Sequence, residues 1–179
     1  MRTLGQLLLG VVSAAYPLLW YFGRDSGLFF VLAALMGVLW LIRAATAPTR
    51  SQRITALLLA AFFGAALLWQ QPASMYWYPV AVNLLMLAVF GSSLMAEQTV
   101  IEKLARLQHP DLPPQGVRHT RRVTQIWCVF FIANGLIAAL LALSGRHDWW
   151  ALYTGVIAYI LMGLLFAGEW LYRKCVLKV

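Results

Sequence analysis

Six runs of apolar residues, each bounded by polar or charged clusters, occupy positions 4–22, 27–42, 54–69, 75–95, 123–143 and 149–170. Polar residues inside these runs are sparse, and the second, third and sixth carry almost no polar face. A water-soluble bundle needs such a face on every helix. A hydrocarbon core takes about 20 apolar residues, with ~17 as the usual lower limit, so each run is long enough, or nearly so, to cross a bilayer. The pattern predicts an all-α integral membrane protein: six transmembrane helices with antiparallel neighbours, forming a single domain over residues 1–179. Gly23-Arg24-Asp25-Ser26 is short enough to make the first two spans a hairpin, and Gln70 to Ser74 couples the third and fourth similarly. The second and third runs measure about 24 Å at 1.5 Å per residue, so their ends must borrow flanking residues or thin the bilayer. Arg43 and Arg53 can snorkel to do this. The stretch 44–52, which contains Pro48, reads as an irregular loop.

Charge adds orientation. When the six runs are threaded alternately through a membrane, twelve of the fourteen Lys and Arg residues share one side and only Arg24 and Arg146 lie opposite. The positive-inside rule then places both termini in the cytoplasm. With 62% apolar and 11% charged residues the chain cannot be arranged as a soluble globule. The net charge of +8 is confined to membrane-flanking segments, which points to anionic lipid headgroups rather than nucleic acid. Met1-Arg2 ahead of an apolar run ending in Ser13-Ala14-Ala15 imitates a cleavable signal, but the run continues to Phe22, so it is expected to stay as the first span. Trp20, Tyr21, Trp69, the Met75-Tyr76-Trp77-Tyr78 cluster, Trp149 and Trp150 all fall at the outer interface, where aromatic belts are expected.

The one sizeable soluble element is the cytoplasmic connection 96–122. Val100, Ile101, Leu104 and Leu107 recur at helical spacing and Glu102 precedes Arg106 by four, so this segment is expected to prolong the fourth helix along the inner surface. His109-Pro110-Asp111-Leu112-Pro113-Pro114 should stop it, since proline lacks the amide hydrogen and restricts the residue before it. Arg118, Arg121 and Arg122 then form a basic edge leading into the fifth span.

Several chemistries are missing from the sequence: a four-residue His/Asp acyltransferase spacing, an aspartate-rich run, a glycine-rich phosphate cradle and a nucleophile elbow. Three scattered histidines and two cysteines, Cys128 and Cys175, suggest neither a metal site nor a disulfide, and no cofactor is implied. Asn83 lies 12 residues before Met95 and Asn134 11 residues after Val123. Both therefore sit ~16 to 18 Å from the inner surface on neighbouring antiparallel helices. They are expected to face each other, either as an interhelical hydrogen bond or as the polar lining of a lipid path. At the cytoplasmic rim, Asn83, Phe90 and Glu97 recur every seven residues. On the last span Gly155, Tyr159, Met162, Phe166, Glu169 and Arg173 form a stripe. Glu97, Glu169 and Arg173 are thus expected near Arg118, Arg121 and Arg122, as a lipid or partner site. Glu169 and Arg173, four apart, can equally pair with each other. An enzyme would require two of Glu97, Glu169, His119 and Tyr159 within hydrogen-bond reach of one cavity.

From about Pro79 onward the chain resembles a family of small bacterial inner-membrane proteins associated with ketosynthase and acyltransferase genes of aryl-polyene lipid clusters. The residues carrying the likeness are Phe90-Gly91-Ser92-Ser93-Leu94, Pro113-Pro114, Thr120-Arg121-Arg122-Val123-Thr124, Trp127 with Phe130-Phe131 and Asn134-Gly135, Trp150-Ala151-Leu152-Tyr153, and the run from Leu161 to Trp170. The C-terminal half is distantly similar to YciB-type septation membrane proteins. The resemblance implies an accessory protein that assists assembly or envelope placement of an acyl or polyene lipid, without catalytic chemistry of its own. An acyl carrier protein or a peripheral acyltransferase is the implied partner, docking on the basic edge. A lipid flippase or small transporter, and a cell-envelope or septation scaffold, are the competing expectations.

Overall fold

The computed structural model describes residues 2–174, with side chains described from Gly10 onward apart from Arg24. Cys175, Lys178 and the side chain of Arg2, on which the charge and cysteine expectations draw, lie outside the described residues. Among the described residues every element is helical: α1 (Arg2–Gly23), α2 (Phe29–Thr46), α3 (Arg50–Trp69), α4 (Tyr78–Ser93), α5 (Val100–Gln108), α6 (Pro114–Leu143), α7 (His147–Leu152) and α8 (Ala158–Tyr172). Short 3-10 turns at Arg24–Ser26 and Pro72–Trp77 and a π turn at Tyr153–Ile157 connect them. Five segments are long and apolar enough to cross a membrane: Phe29–Thr46, Arg50–Trp69, Pro72–Ser93, Pro114–Leu143 and His147–Tyr172. The chain is thus an all-helical, multi-pass membrane protein. Ahead of these five, α1 is a helix of 22 residues.

Three expectations are corrected. The irregular loop 44–52 is not present: α2 runs to Thr46 and α3 starts at Arg50. Thr49 caps α3, its hydroxyl accepting the Gln52 N–H at 3.3 Å, and Arg43 Nη2 donates to Gln52 Oε1 at 3.0 Å across the hairpin. A β-region cap residue ends the non-helical stretch within three residues, which is why Pro48 costs no helix. Nor does α4 continue into α5. Ser93 ends α4, its hydroxyl donating to Phe90 O at 2.7 Å and accepting the Val100 N–H at 3.1 Å. Thr99 then caps α5 by accepting the Glu102 N–H at 3.2 Å. Two hydroxyls thus satisfy amide hydrogens that a continuous helix would have bonded internally. The third correction concerns the last span. Its helical period is broken by the π turn, where the Ala158 N–H reaches back five residues to Tyr153 O. A wider turn resets which residues share a face, so Gly155 falls out of the expected stripe, while Phe166, Glu169 and Arg173 beyond the turn line one cleft.

The chain folds as two compact units, residues 1–82 with 138–158 and residues 83–137 with 159–179. In the first, α2 and α3 pack along their length around Met36, Leu59 and Phe63, all buried. Tyr16 and Trp20 of α1 are buried with them, and Trp20 meets Phe29 and Tyr76 edge to face at 6.2 and 5.9 Å. Tyr16 OH donates to Met75 O at 2.9 Å, and Trp150 Nε1 donates to Tyr76 O at 3.1 Å. Trp20, Tyr76 and Trp150 are therefore core residues that pin the 3-10 turn, whereas Trp69, Trp77 and Trp149 stay exposed as a belt would require. Gly155 faces Leu18 of α1 so closely that a Cβ would come within 2.8 Å of its Cγ.

The second unit is built on Val123, Trp127 and Phe131 of α6. Phe90 of α4, Ile101 of α5, and Met162 and Leu165 of α8 pack against this row. Residues four apart on a helix fall on one face, so α6 presents a continuous apolar ridge. Among the described residues many large apolar side chains remain exposed beyond these cores, as lipid-facing surface requires.

Candidate functional site

In the second unit a cleft of about 350 Å³ opens between α5, the first turns of α6 and the end of α8. Proline and a cap set its position. Pro113-Pro114 ends the link after α5 and starts α6, proline being well tolerated in a first helical turn. Arg106 holds the link in place, pairing with Glu102 Oε1 at 2.8 Å and donating from Nη1 to Pro110 O at 2.9 Å. The pairing of Glu102 with Arg106 expected from their spacing is thus present, with Glu102 buried.

The depth of the cleft is apolar, with Val123 and Trp127 of α6 facing Phe166 of α8. Trp127 and Phe166 rings approach to 4.8 Å between centroids. Its mouth is polar. His119 Nε2 lies 3.2 Å from Glu169 Oε1, and Arg173 Nε lies 2.8 Å from the same oxygen. The His119 ring also stacks on Tyr172 at 5.2 Å with the planes 8° apart, which fixes its orientation. Arg173 is more than a third exposed, so its ion pair with Glu169 contributes little to stability and leaves part of its side chain open to solvent.

A second cleft of about 430 Å³ shares His119, Val123, Trp127 and Glu169 with the first, and Arg122 lies on its wall. The expected rim is therefore assembled in part. Glu169, Arg173 and Arg122 line the clefts. Arg118 is exposed on α6 and lines neither. Arg121 is turned to the end of α4, where its Nη2 donates to Leu94 O at 2.8 Å. Glu97 is exposed in the turn between α4 and α5 and lines neither cleft. The seven-residue spacing that placed it beside Glu169 assumed an unbroken fourth helix, and that helix ends at Ser93. His119 is the residue missing from the expected rim. It occupies the centre because it starts the four-spaced row His119, Val123, Trp127 that meets α8.

The amide pair expected from equal depth is present: Asn134 Nδ2 donates to Asn83 Oδ1 at 3.0 Å, and both residues are buried. Gly135 permits the approach, since a Cβ there would meet Asn83 Cβ at 3.2 Å. Neither asparagine lines the two clefts. Among the described residues no group of three or more His, Cys, Asp or Glu side chains is placed to hold a metal ion. Compared with family models, curated proteins and solved structures, the chain finds no match in any of the three.

Proposed function

We propose that this chain is an accessory protein of a bacterial inner membrane that handles an acyl or polyene lipid during its assembly or placement in the envelope. It would have six spans, with α1 as the first and both termini cytoplasmic, as the distribution of basic residues supports. One observation carries the reading: a cleft whose apolar depth, Trp127 against Phe166, runs into a mouth holding His119, Glu169 and Arg173. An amphiphile has the same division. An acyl chain laid on the two rings keeps apolar packing contacts while its polar end meets the part-exposed Arg173. Arg118, exposed beside this mouth, extends the basic surface on which an acidic carrier or a peripheral acyltransferase would dock.

The test is photolabelling. The protein reconstituted in vesicles with a fatty acid carrying a photoreactive group near its carboxyl end is expected to be labelled in peptides of α5, the start of α6 and the end of α8. Labelling spread evenly over all lipid-facing helices would reject the site.

A second reading rests on the convergence of His119 and Glu169 within 3.2 Å at one cleft. Glu169 would orient the imidazole, which would take a proton from water attacking an acyl ester and return it to the leaving alcohol, yielding a carboxylic acid and an alcohol. Release of free acid from a bound ester, lost in His119→Gln with lipid binding retained, separates this reading from lipid handling.

A further inference from the structure

The two clefts lie on opposite sides of one seam. His119 meets Glu169 and Tyr172, and Trp127 meets Phe166, so α6 and α8 run antiparallel along a line of polar, stacked and ring contacts. On one side of that line the first cleft is completed by α5 and Gly116 and ends at Arg173. On the other side the second cleft is completed by Ile126, Leu165 and Gly168, with Arg122 on its wall. Each cleft thus has its own apolar channel and its own arginine, while the ridge of His119, Val123 and Trp127 stands between them.

The volumes, 350 and 430 Å³, each fall in the range of small-molecule sites, roughly 300 to 1,000 Å³. Charge at the shared mouth is unequal. Arg122 lines the second cleft and Arg173 the first, while the one carboxylate, Glu169, lines both and is already engaged by Arg173. Arg122 is exposed and lies one turn further along α6 than His119, close enough for its side chain to snorkel back towards the same level. A single-chain amphiphile would fill one channel and leave the other open. Two separate anionic amphiphiles would bring two like charges to one mouth.

We infer that the site takes one two-chain lipid with an anionic headgroup. It sits astride the His119 to Trp127 ridge, with one chain in each cleft and the headgroup between Arg122 and Arg173. This rests on the lipid-handling reading above and narrows it to a substrate class.

The protein in neutral phosphatidylcholine nanodiscs is titrated with phosphatidylglycerol and, separately, with lysophosphatidylglycerol, which has the same headgroup on one chain. Phosphatidylglycerol is expected to bind at one per protein and more tightly than the single-chain lipid. Gly168→Leu places a side chain in the second cleft, where a Cβ meets nothing within 4 Å. Ala105→Phe does the same in the first. A chain shut out of its cleft returns to bilayer hydrocarbon and loses only packing contacts, so phosphatidylglycerol binding should weaken about threefold or more in either variant. Binding of the single-chain lipid should change little, because the other cleft still accepts it. Equal affinities for the two lipids, or two-chain binding that ignores Gly168→Leu, would overturn the inference while leaving lipid handling in place. No preference for either anionic lipid over phosphatidylcholine would remove the underlying reading as well. Gly168→Leu decides the matter even if Ala105→Phe unfolds the bundle.

Discussion

The amide pair of Asn83 and Asn134 gives the sharpest quantitative prediction, because its geometry and its steric support are both defined. The bond is 3.0 Å long, joins α4 to α6 and is buried at both ends, with 7% and 9% exposure. Interhelical polar contacts in membranes average about 0.6 kcal/mol and reach about 1.7, far below the cost of an unmade bond in hydrocarbon, since the unfolded state in the bilayer also finds partners. A double-mutant cycle with Asn83→Ala and Asn134→Ala should therefore return a coupling of about 0.6 to 1.7 kcal/mol, roughly 3- to 20-fold in the unfolding constant.

Gly135→Ala supplies an independent lever. Its Cβ would stand 3.2 Å from Asn83 Cβ, so the helices must separate by a few tenths of an ångström. The amide bond would then lengthen to about 3.3 Å, past the usual ~3.2 Å limit. Alanine also gains up to about 1 kcal/mol of helix propensity over glycine, so net stability is a poor readout and the coupling is the proper one. The assay is reversible unfolding in mixed micelles with increasing denaturing detergent, repeated for the cycle in the Gly135→Ala background. Coupling should fall there to less than half its original value. A coupling indistinguishable from zero in the parent protein, or one unaffected by Gly135→Ala, would refute the account of Gly135 as the residue that lets the amides meet.

Orientation is testable by labelling: a cysteine at Ser26 or Ser74 should react with an impermeant maleimide in intact cells, and one at Gln115 should react only after lysis, the reverse order excluding the proposed topology. Gly155→Ala should destabilise the protein by about 1 to 3 kcal/mol through overpacking, because the new Cβ falls 2.8 Å from Leu18 Cγ, a branch point that cannot swing aside as a terminal methyl can. Adding Leu18→Ala should recover part of that loss in the same detergent titration, and a Gly155→Ala protein of unchanged stability would contradict the close approach.

The spans were legible because lipid imposes a coarse requirement, a long apolar run, which the sequence meets without ambiguity in five helices. Their ends were not. Helix boundaries depend on single hydroxyls such as Thr49 and Thr99, whose effect is local and does not show in hydrophobic periodicity. The Thr99-x-x-Glu102 spacing did carry a start signal for α5. The periodicity of Val100, Ile101 and Leu104 on either reading masked it. The aromatic residues failed for a different reason: a belt tryptophan and a core tryptophan have the same depth in the membrane. Trp150 differs from Trp149 only in the side of the helix it occupies, and its burial follows from the Tyr76 carbonyl it reaches.

The candidate site was half legible, and the division has a physical cause. Glu169 and Arg173 are four apart on one helix, a relation fixed by helix geometry before any tertiary contact forms. His119 lies 50 residues away from Glu169, and their meeting depends on the register of α6 against α8, which the large side chains of Trp127, Phe166 and Met162 set by packing. That dependence also explains how the chain's few acidic groups are used. Of six, Glu102 is buried against Arg106, Asp148 accepts from Tyr21 OH at 2.5 Å, and Glu97 and Asp111 are exposed. Glu169 is instead carried by ring packing to the mouth of an apolar cleft, between a histidine and an arginine. A carboxylate kept there weakens the attraction of the mouth for any anion, so on the lipid reading proposed above a headgroup would have to displace Arg173 from Glu169 and draw on Arg122 as well. That is a demand for two cations from one ligand, which a headgroup seated over the seam meets and one confined to a single cleft does not.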